Sequence, residues 1–472
     1  MKPSFLLSYP LRLSALAAAL LVTSCTWTKR PQSQITVPSS WQQKGVSSTV
    51  TLDTARLAQW WTRFNDPVLN RIIAEALQSS PDVRTTLARI DEARARKGVA
   101  RSALFPTLSG YVSGQGSHID NRQTGATTTD SFSSALNLSW EIDLFGKLRQ
   151  SVRASAADLA QAEENFHGAQ VALAATVAES YIDLRAAEAQ LAVYERNVSA
   201  RSDTVQITRW KQEAGEGNGF ETQQAASTLE QARATIPTLK LAITQTKNRL
   251  ALLSGKTPGA LDSLLAKPRG VPRPPSTLAV GIPANTLRQR PDVRAAERGV
   301  EAAAARTKSA EREQLPSLKL NGDLSTTASR YAAFLSPETA AASVLGSLSA
   351  PIFNAGRIKQ TILVQSAQEK QALISYESTV LTALSEVENA LAAVRRTQER
   401  LNTLEGAVTS ARDAAKLAAQ SFEAGQADLL QVLDTQRTLL SLEEQQTVTL
   451  GDNASAHVQL YRALGGGWSR QG

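Results

Sequence analysis

The sequence predicts a mainly α-helical fold carrying a membrane β-barrel segment, internally duplicated, with four strands and long coiled-coil helices in each chain. Three observations carry that prediction. First, the chain is written twice. Pro81-Asp82-Val83-Arg84 recurs as Pro291-Asp292-Val293-Arg294, Pro106-Thr107-Leu108 as Pro316-Ser317-Leu318, and Gly146-Lys147-Leu148-Arg149 as Gly356-Arg357-Ile358-Lys359. The offset is 210 residues each time, and it also relates Ala214-Gly215 to Ala424-Gly425 and Gly255 to Gly465. Second, each copy contains segments of strict apolar–polar alternation, the period of a half-buried strand. Third, each copy contains a long proline-free stretch with apolar residues every seventh position, the seam of a coiled coil.

Composition agrees with a helical chain. Aromatic residues make up only 5% of the 472 residues, and alanine, leucine, glutamine, serine and arginine dominate. The net charge is +8. Lys and Arg interleave with Asp and Glu along the helical stretches, the pattern of a solvated helix face and not of a nucleic-acid surface.

The N-terminus reads as a targeting segment, residues 1–24. Lys2 and Arg12 supply positive charge, and Leu13 to Val22 is an apolar run too short to span a bilayer comfortably. It ends in Val22-Thr23-Ser24-Cys25, which resembles a bacterial lipobox, so Cys25 is the expected lipidation site. Cys25 is the only cysteine, which excludes an intramolecular disulfide. Thr26 and Trp27 follow, with no Asp to signal inner-membrane retention, so the lipid anchor points to the outer membrane. Residues 25–65 form the lipidated N-terminal tether, Ser/Thr/Gln/Pro-rich and extended. No other segment reads as a transmembrane helix, so any further crossing must use strands.

The first repeat spans 66–255. Asp66 is a good N-cap and Pro67 a good first helical residue for a short helix to about Ser80. Trp60, Trp61 and Phe64 cluster just before it. Helices follow at about 81–104 and, in the second repeat (284–465), at about 291–314, each closed by Pro106 or Pro316. Strands are expected at about 105–117 and 132–145, then at 315–326 and 341–353, with polar loops at 118–130 and 328–340. In the second strand Leu136, Leu138, Trp140, Ile142 and Leu144 share one face, and Asn137, Ser139, Glu141 and Asp143 the other. Ten residues is the length of a membrane β-strand.

Long helices are expected at 147–213 and 357–423. Val177, Leu184, Leu191, Val198 and Val205 mark the first seam; Leu373, Val380, Val387, Val394, Leu401, Val408, Ala415 and Phe422 mark the second. Such a helix is about 100 Å long. Returning helices are expected at about 220–254 and 428–464, the first kinked by Pro237, whose counterpart is Thr447. Residues 256–283 are proline-rich and read as an extended linker; residues 466–472 form a C-terminal tail.

Four strands cannot close a barrel, for which about eight is the practical minimum. An open edge in lipid leaves backbone groups unpaired at several kcal/mol each. Several chains must therefore pool their strands: two give eight and three give twelve.

The chain also resembles a known family. Cys25 in its lipobox, Trp60-Trp61 with Phe64, Asp66-Pro67, Phe105-Pro106, Asp143-Leu144-Phe145-Gly146, Arg290-Pro291-Asp292-Val293-Arg294, Phe353-Asn354-Ala355-Gly356 and Phe422-Glu423-Ala424-Gly425 occur in the order typical of the TolC superfamily of outer-membrane efflux proteins, NodT-type lipoprotein branch. The resemblance covers essentially the whole mature chain. It implies a homotrimer, with a twelve-stranded barrel continuing into a periplasmic α-helical barrel. It also implies docking on a periplasmic adaptor (membrane fusion protein) and an inner-membrane resistance-nodulation-division pump. The implied role is a passive exit duct for small molecules such as drugs, lipid-anchored and spanning the outer membrane, with a large periplasmic part. No cofactor is implied. In the family, side-chain rings near the second turn close the periplasmic end. This makes Asp434 the candidate acidic ring and Leu430 the candidate apolar one; a ring of carboxylates repels itself and attracts cations. Ala214, Gly215, Ala424 and Gly425 at the tips are candidate adaptor contacts. The first turn, Gly215-Glu216-Gly217-Asn218-Gly219-Phe220, has extra glycines and no Asp where the second has Asp428.

Other readings are weaker. His118, His167 and His457 are scattered and not at metal-ligand spacing. Gly255-Lys256-Thr257 resembles a P-loop tail, but the earlier glycine that motif requires is Leu250, so catalysis is not expected. A coiled-coil scaffold without a channel needs no membrane-length strands. A duct for type I protein secretion remains the alternative within the same superfamily.

Overall fold

The computed structural model describes residues 33, 35–43, 57–275, 283–333, 336 and 339–469. The targeting segment and Cys25 lie outside these residues, as do parts of the tether and the linker.

A short 3₁₀ turn at Trp60–Phe64 leads into α1 (Pro67–Ser79) and α2 (Pro81–Ser102). Strands β1 (Thr107–Asn121) and β2 (Gly125–Ile142) follow, then α3 (Lys147–Glu213) and α4 (Gly219–Leu253). The connection holds α5 (Asp262–Leu265) and α6 (Pro283–Gln289). The plan then repeats as α7 (Pro291–Arg312), β3 (Ser317–Ala328), β4 (Ala340–Ser349), α8 (Arg357–Glu423) and α9 (Leu429–Ala463). Both long helices have 67 residues, about 100 Å each. None of the described helices is long and apolar enough to cross a membrane.

The strands form one antiparallel sheet in the order β1-β2-β3-β4. The central pair joins the two repeats, with Leu136 opposite Leu324, Trp140 opposite Leu320 and Ile142 opposite Leu318. Strand ends differ from the sequence expectation. Residues 118–130, expected as a loop, are mostly strand: Ile119 pairs with Thr127 and Asn121 with Gly125. β-branched Thr127, Thr128 and Thr129 favour the extended state, and Asn121 closes a tight turn by accepting from the Gln123 N–H at 2.9 Å. At the other end β2 stops at Ile142, because the Asp143 carboxylate accepts from the N–H groups of Leu148 (3.1 Å) and Arg149 (2.9 Å) in the first turn of α3. β4 stops at Ser349, short of residue 353, just before Pro351, which has no N–H to give a ladder.

The main core lies midway along the long helices. Trp60, Leu69, Ile72 and Ile73 pack against Val177, Tyr181 and Leu184 of α3, Val387 of α8 and Leu460 of α9. Trp60 stacks on Tyr461 with centroids 5.3 Å apart. Asp66 caps α1 by accepting from Val68 N–H at 2.8 Å, and its other oxygen accepts from the buried Tyr181 hydroxyl at 2.7 Å. One carboxylate thus ties the start of the bundle to the middle of α3.

Three segments outside the long elements are more closely held than their composition implies. In the connection expected to be extended, Leu261 and Leu265 sit one helical turn apart and are buried in the main core. The described tether residues are docked: Trp41 packs on the main core, and Gln42 N–H donates to Glu388 at 2.7 Å. In the tail, Trp468 is buried and stacks on His167 at 4.4 Å. Pro237 lies inside α4, which continues through it as one helix.

The recurring glycines mark where a returning helix meets the start of its own repeat. Gly255 has φ +66°, and a Cβ there would lie 2.5 Å from the Ser79 carbonyl oxygen; at Gly465 (φ +75°) it would lie 3.0 Å from Arg290 Cα. Gly255→Ala combines left-handed strain with a backbone clash, so it should cost about 2 kcal/mol or more. Gly406→Ala, in an open stretch of α8, should be neutral or stabilise by roughly 0.5–1 kcal/mol. Thermal unfolding of the two variants, followed by helical circular dichroism, checks the pair; equal midpoints would remove the junction's role.

Candidate functional site

Both long helices end in the same turn. Gly215 and Gly425 have φ of +77° and +73°, a conformation that favours glycine. Glu216 N–H donates to the Lys211 carbonyl (2.8 Å) and Gly215 N–H to that of Gln212 (3.1 Å); Gln426 and Gly425 repeat this on Ser421 (2.8 Å) and Phe422 (3.1 Å). This is the Schellman pattern, which satisfies the last carbonyls of a helix. The returning helices are capped alike: Asn218 Oδ1 accepts from Glu221 N–H and Asp428 Oδ1 from Gln431 N–H, both at 2.9 Å. Capping needs only an acceptor oxygen, so the missing Asp in the first tip changes charge and not geometry.

The two tips pack together. Val205, Ala225, Leu229, Phe422, Leu429 and Val432 bury a small apolar cluster. Lys211 Nζ donates to the Phe422 carbonyl at 2.5 Å and lies 4.0 Å from the centroid of its ring. Gln436 Nε2 donates to Thr204 Oγ1 at 3.0 Å, a buried tie between α9 and α3. Ala214, Gly215, Ala424 and Gly425 are all exposed. Ala214 borders a hollow of about 540 Å³ with Ile207, Trp210, Lys211, Glu216 and Glu423.

Leu430 and Asp434, one turn apart on α9, line the same cleft of about 590 Å³. Leu430 is 59% exposed. Asp434 is also exposed, and its carboxylate accepts from Arg437 of its own helix at 2.5 Å. Among the described residues it bridges to no other helix. Across the cleft stand Tyr194 and Arg201 of α3 and Gln224 and Thr228 of α4. Burial and the nearby Glu444 carboxylate raise the Tyr194 pKa; burial lowers that of Arg201. Sequence reasoning passed over both residues. The signal was present: each lies three positions after a seam residue, Leu191 or Val198, where a coiled coil places its second apolar side chain.

The three histidines sit in separate local settings. His118 bonds Thr128, His167 stacks on Trp468 and His457 bonds the Asn453 carbonyl. Among the described residues no group of His, Cys, Asp or Glu could hold a metal ion.

Comparison with known proteins identifies the family. The model of the family described as outer membrane efflux protein matches residues 72–256 and 282–466, two stretches that again stand 210 apart. The chain is 29% identical to the pyoverdine export outer membrane protein OpmQ of Pseudomonas putida, covering 98% of each. It is also 29% identical to the toluene efflux pump outer membrane protein TtgF of Pseudomonas putida, over 92% of each. Among solved structures, the outer-membrane channel OprN superposes with a TM-score of 0.84 at 30% identity, over 94% of this chain and 100% of that one. The open state of the MtrE outer membrane channel of Neisseria gonorrhoeae gives 0.80 at 26% identity, over 94% and 98%. The chain therefore belongs to the outer membrane efflux protein family, and it is an outer-membrane efflux channel.

Proposed function

We propose that three copies of the chain close one duct across the outer membrane, the exit of a tripartite efflux pump. It receives small molecules from a periplasmic adaptor and an inner-membrane pump of the resistance-nodulation-division type. The observation that carries this reading is the open sheet. β1 and β4 are edge strands, and the sheet's apolar face is bare: Leu108, Val112, Leu136, Leu324, Val344 and Leu348 fall on one side by register and are all exposed. Lipid suits that face, and partner edges from other copies suit the ends. Three chains supply twelve strands.

The duplication supports the same assembly. α7 packs on α8 of its own repeat and on α3 of the other. Arg294 pairs with Glu164, Arg306 with Asp158 at 2.6 Å, and Ser309 Oγ donates to the Lys147 carbonyl at 3.1 Å. Its counterpart α2 packs on α3, and the positions matching that second face, Arg84, Arg96 and Val99, are exposed. On α8, Val364 is 52% exposed, whereas the matching Ala154 of α3, the helix on which α7 packs, is 4% exposed. A neighbouring copy's α2 laid on α8 fills this gap by the same rule that seats α7 on α3.

Cys25 supplies the lipid anchor in this reading. The exposed tips at Ala214, Gly215, Ala424 and Gly425 meet the adaptor, and Asp434 with Leu430 forms the constriction at the periplasmic end. Relatives at equal identity are named for different cargoes, pyoverdine and toluene, so cargo choice is assigned to the pump.

Two experiments test the proposal. With Cys25 the only native cysteine, Arg84→Cys together with Ile374→Cys should give a covalent trimer with a short bis-maleimide, while either variant alone gives none. A ladder ending at dimer, or no cross-link, would overturn the assembly. Asp434→Ala should raise single-channel conductance and the entry of large antibiotics; no change in either removes Asp434 from the gate.

A further inference from the structure

The cleft beside Asp434 holds a cation without a counter-charge. Arg201 is 8% exposed. Among the described residues its guanidinium makes one hydrogen bond, from Nη1 to the Thr228 carbonyl at 2.8 Å, and its Nε is buried with no partner. The other buried arginines of the described chain are paired: Arg185 with Glu188 at 2.6 Å, and Arg290 with Asp292 (2.6 Å) and Glu386 (2.7 Å). An arginine does not shed its proton in proteins, and a buried charge without a counter-ion is costly. The nearby carboxylates are engaged elsewhere, Asp434 by Arg437 (2.5 Å) and Glu444 by the Tyr194 hydroxyl (3.4 Å).

The cleft is lined by both copies, and its charged residues are not repeated between them. At the offset of 210, Arg201 corresponds to Ala411, Tyr194 to Leu404, Arg437 to Ser227 and Asp434 to Gln224. Each copy carries one of these guanidiniums and lacks the other, so the helix packing that the copies share at this level needs neither. The cleft is large enough, at about 590 Å³, to take a small organic molecule, and Leu433 and Leu440 give it an apolar wall beside the charge.

We propose that this cleft binds an amphiphilic organic anion, its carboxylate on the Arg201 guanidinium and its apolar body against Leu433 and Leu440. The unpartnered edge of the guanidinium offers the donors a carboxylate takes in charge-assisted pairs. The site consists of one chain's own residues, so it does not rest on how the duct assembles.

Fluorine NMR on the full-length purified protein tests it, with para-fluorobenzoate as probe and the neutral para-fluorobenzamide as its control. The expected result is saturable broadening of the benzoate signal and none of the amide. Arg201→Gln should weaken binding about tenfold or more, while Arg122→Gln, at the exposed hairpin turn, leaves it unchanged. Gln224→Glu keeps Arg201 and places a carboxylate inside the cleft. It should abolish benzoate binding and raise the thermal midpoint, a result that stands even where Arg201→Gln fails to fold. No binding to the native protein, equal binding of the amide, or undiminished binding to Gln224→Glu would each overturn the proposal.

Discussion

A sheet edge that meets lipid has nowhere to put its hydrogen bonds, and that constraint organises the rest of the molecule. Each unpaired backbone group in hydrocarbon costs several kcal/mol, and this sheet has two edges, β1 and β4. The chain can neither close its own barrel nor leave it open. In the proposed assembly, the elements below the sheet would bring the copies together in register. Gly146 and Gly356 turn each hairpin directly into a long helix, both in the left-handed conformation with φ of +81° and +83°. The strand spacing at the top therefore sets the helix spacing beneath it.

The main core fixes those helices at mid-length. It is formed by short elements, α1 and the aromatic turn before it, wedged between α3, α8 and α9. Long helices with apolar seams can slide by a heptad at small cost, because every turn looks like the next. Bulky Trp60 against Tyr461, and Asp66 against the Tyr181 hydroxyl, are unlike anything else along the seam. They make one register better than its neighbours. The glycine junctions at 255 and 465 do the same at the helix ends, where no side chain fits.

Much of this could be read from the sequence because it is periodic. Val380, Val387, Val394 and Val408 lie in the apolar seam of α8, and all are buried. Leu136, Leu138, Trp140 and Ile142 alternate and share a sheet face. What escaped is local or set by distant partners. The polar strand residues 118–130 carry no apolar alternation, since their hairpin stands clear of any core. Leu261 and Leu265 are two residues in a proline-rich segment, too few to show a period. Trp468 is held by His167, some 300 positions away in the sequence. At the tip, Asp434 was visible through its motif, whereas Arg201 was hidden inside a seam that was read for its apolar members.

The unequal hairpins have a consequence for the outer rim. β2 runs for 18 residues and β4 for 10, and β2 has a partner in β3 only from Phe132 onward. The first seven residues of β2, with the end of β1, therefore rise about 20 Å beyond the shorter pair. Around a closed ring, tall and short hairpins would alternate like the battlements of a wall. The tall ones pair only with themselves, so their tips near 122–124 bear no share of the wall's cohesion. That makes them the natural socket for a foreign peptide or dye, a handle whose attachment leaves the wall untouched.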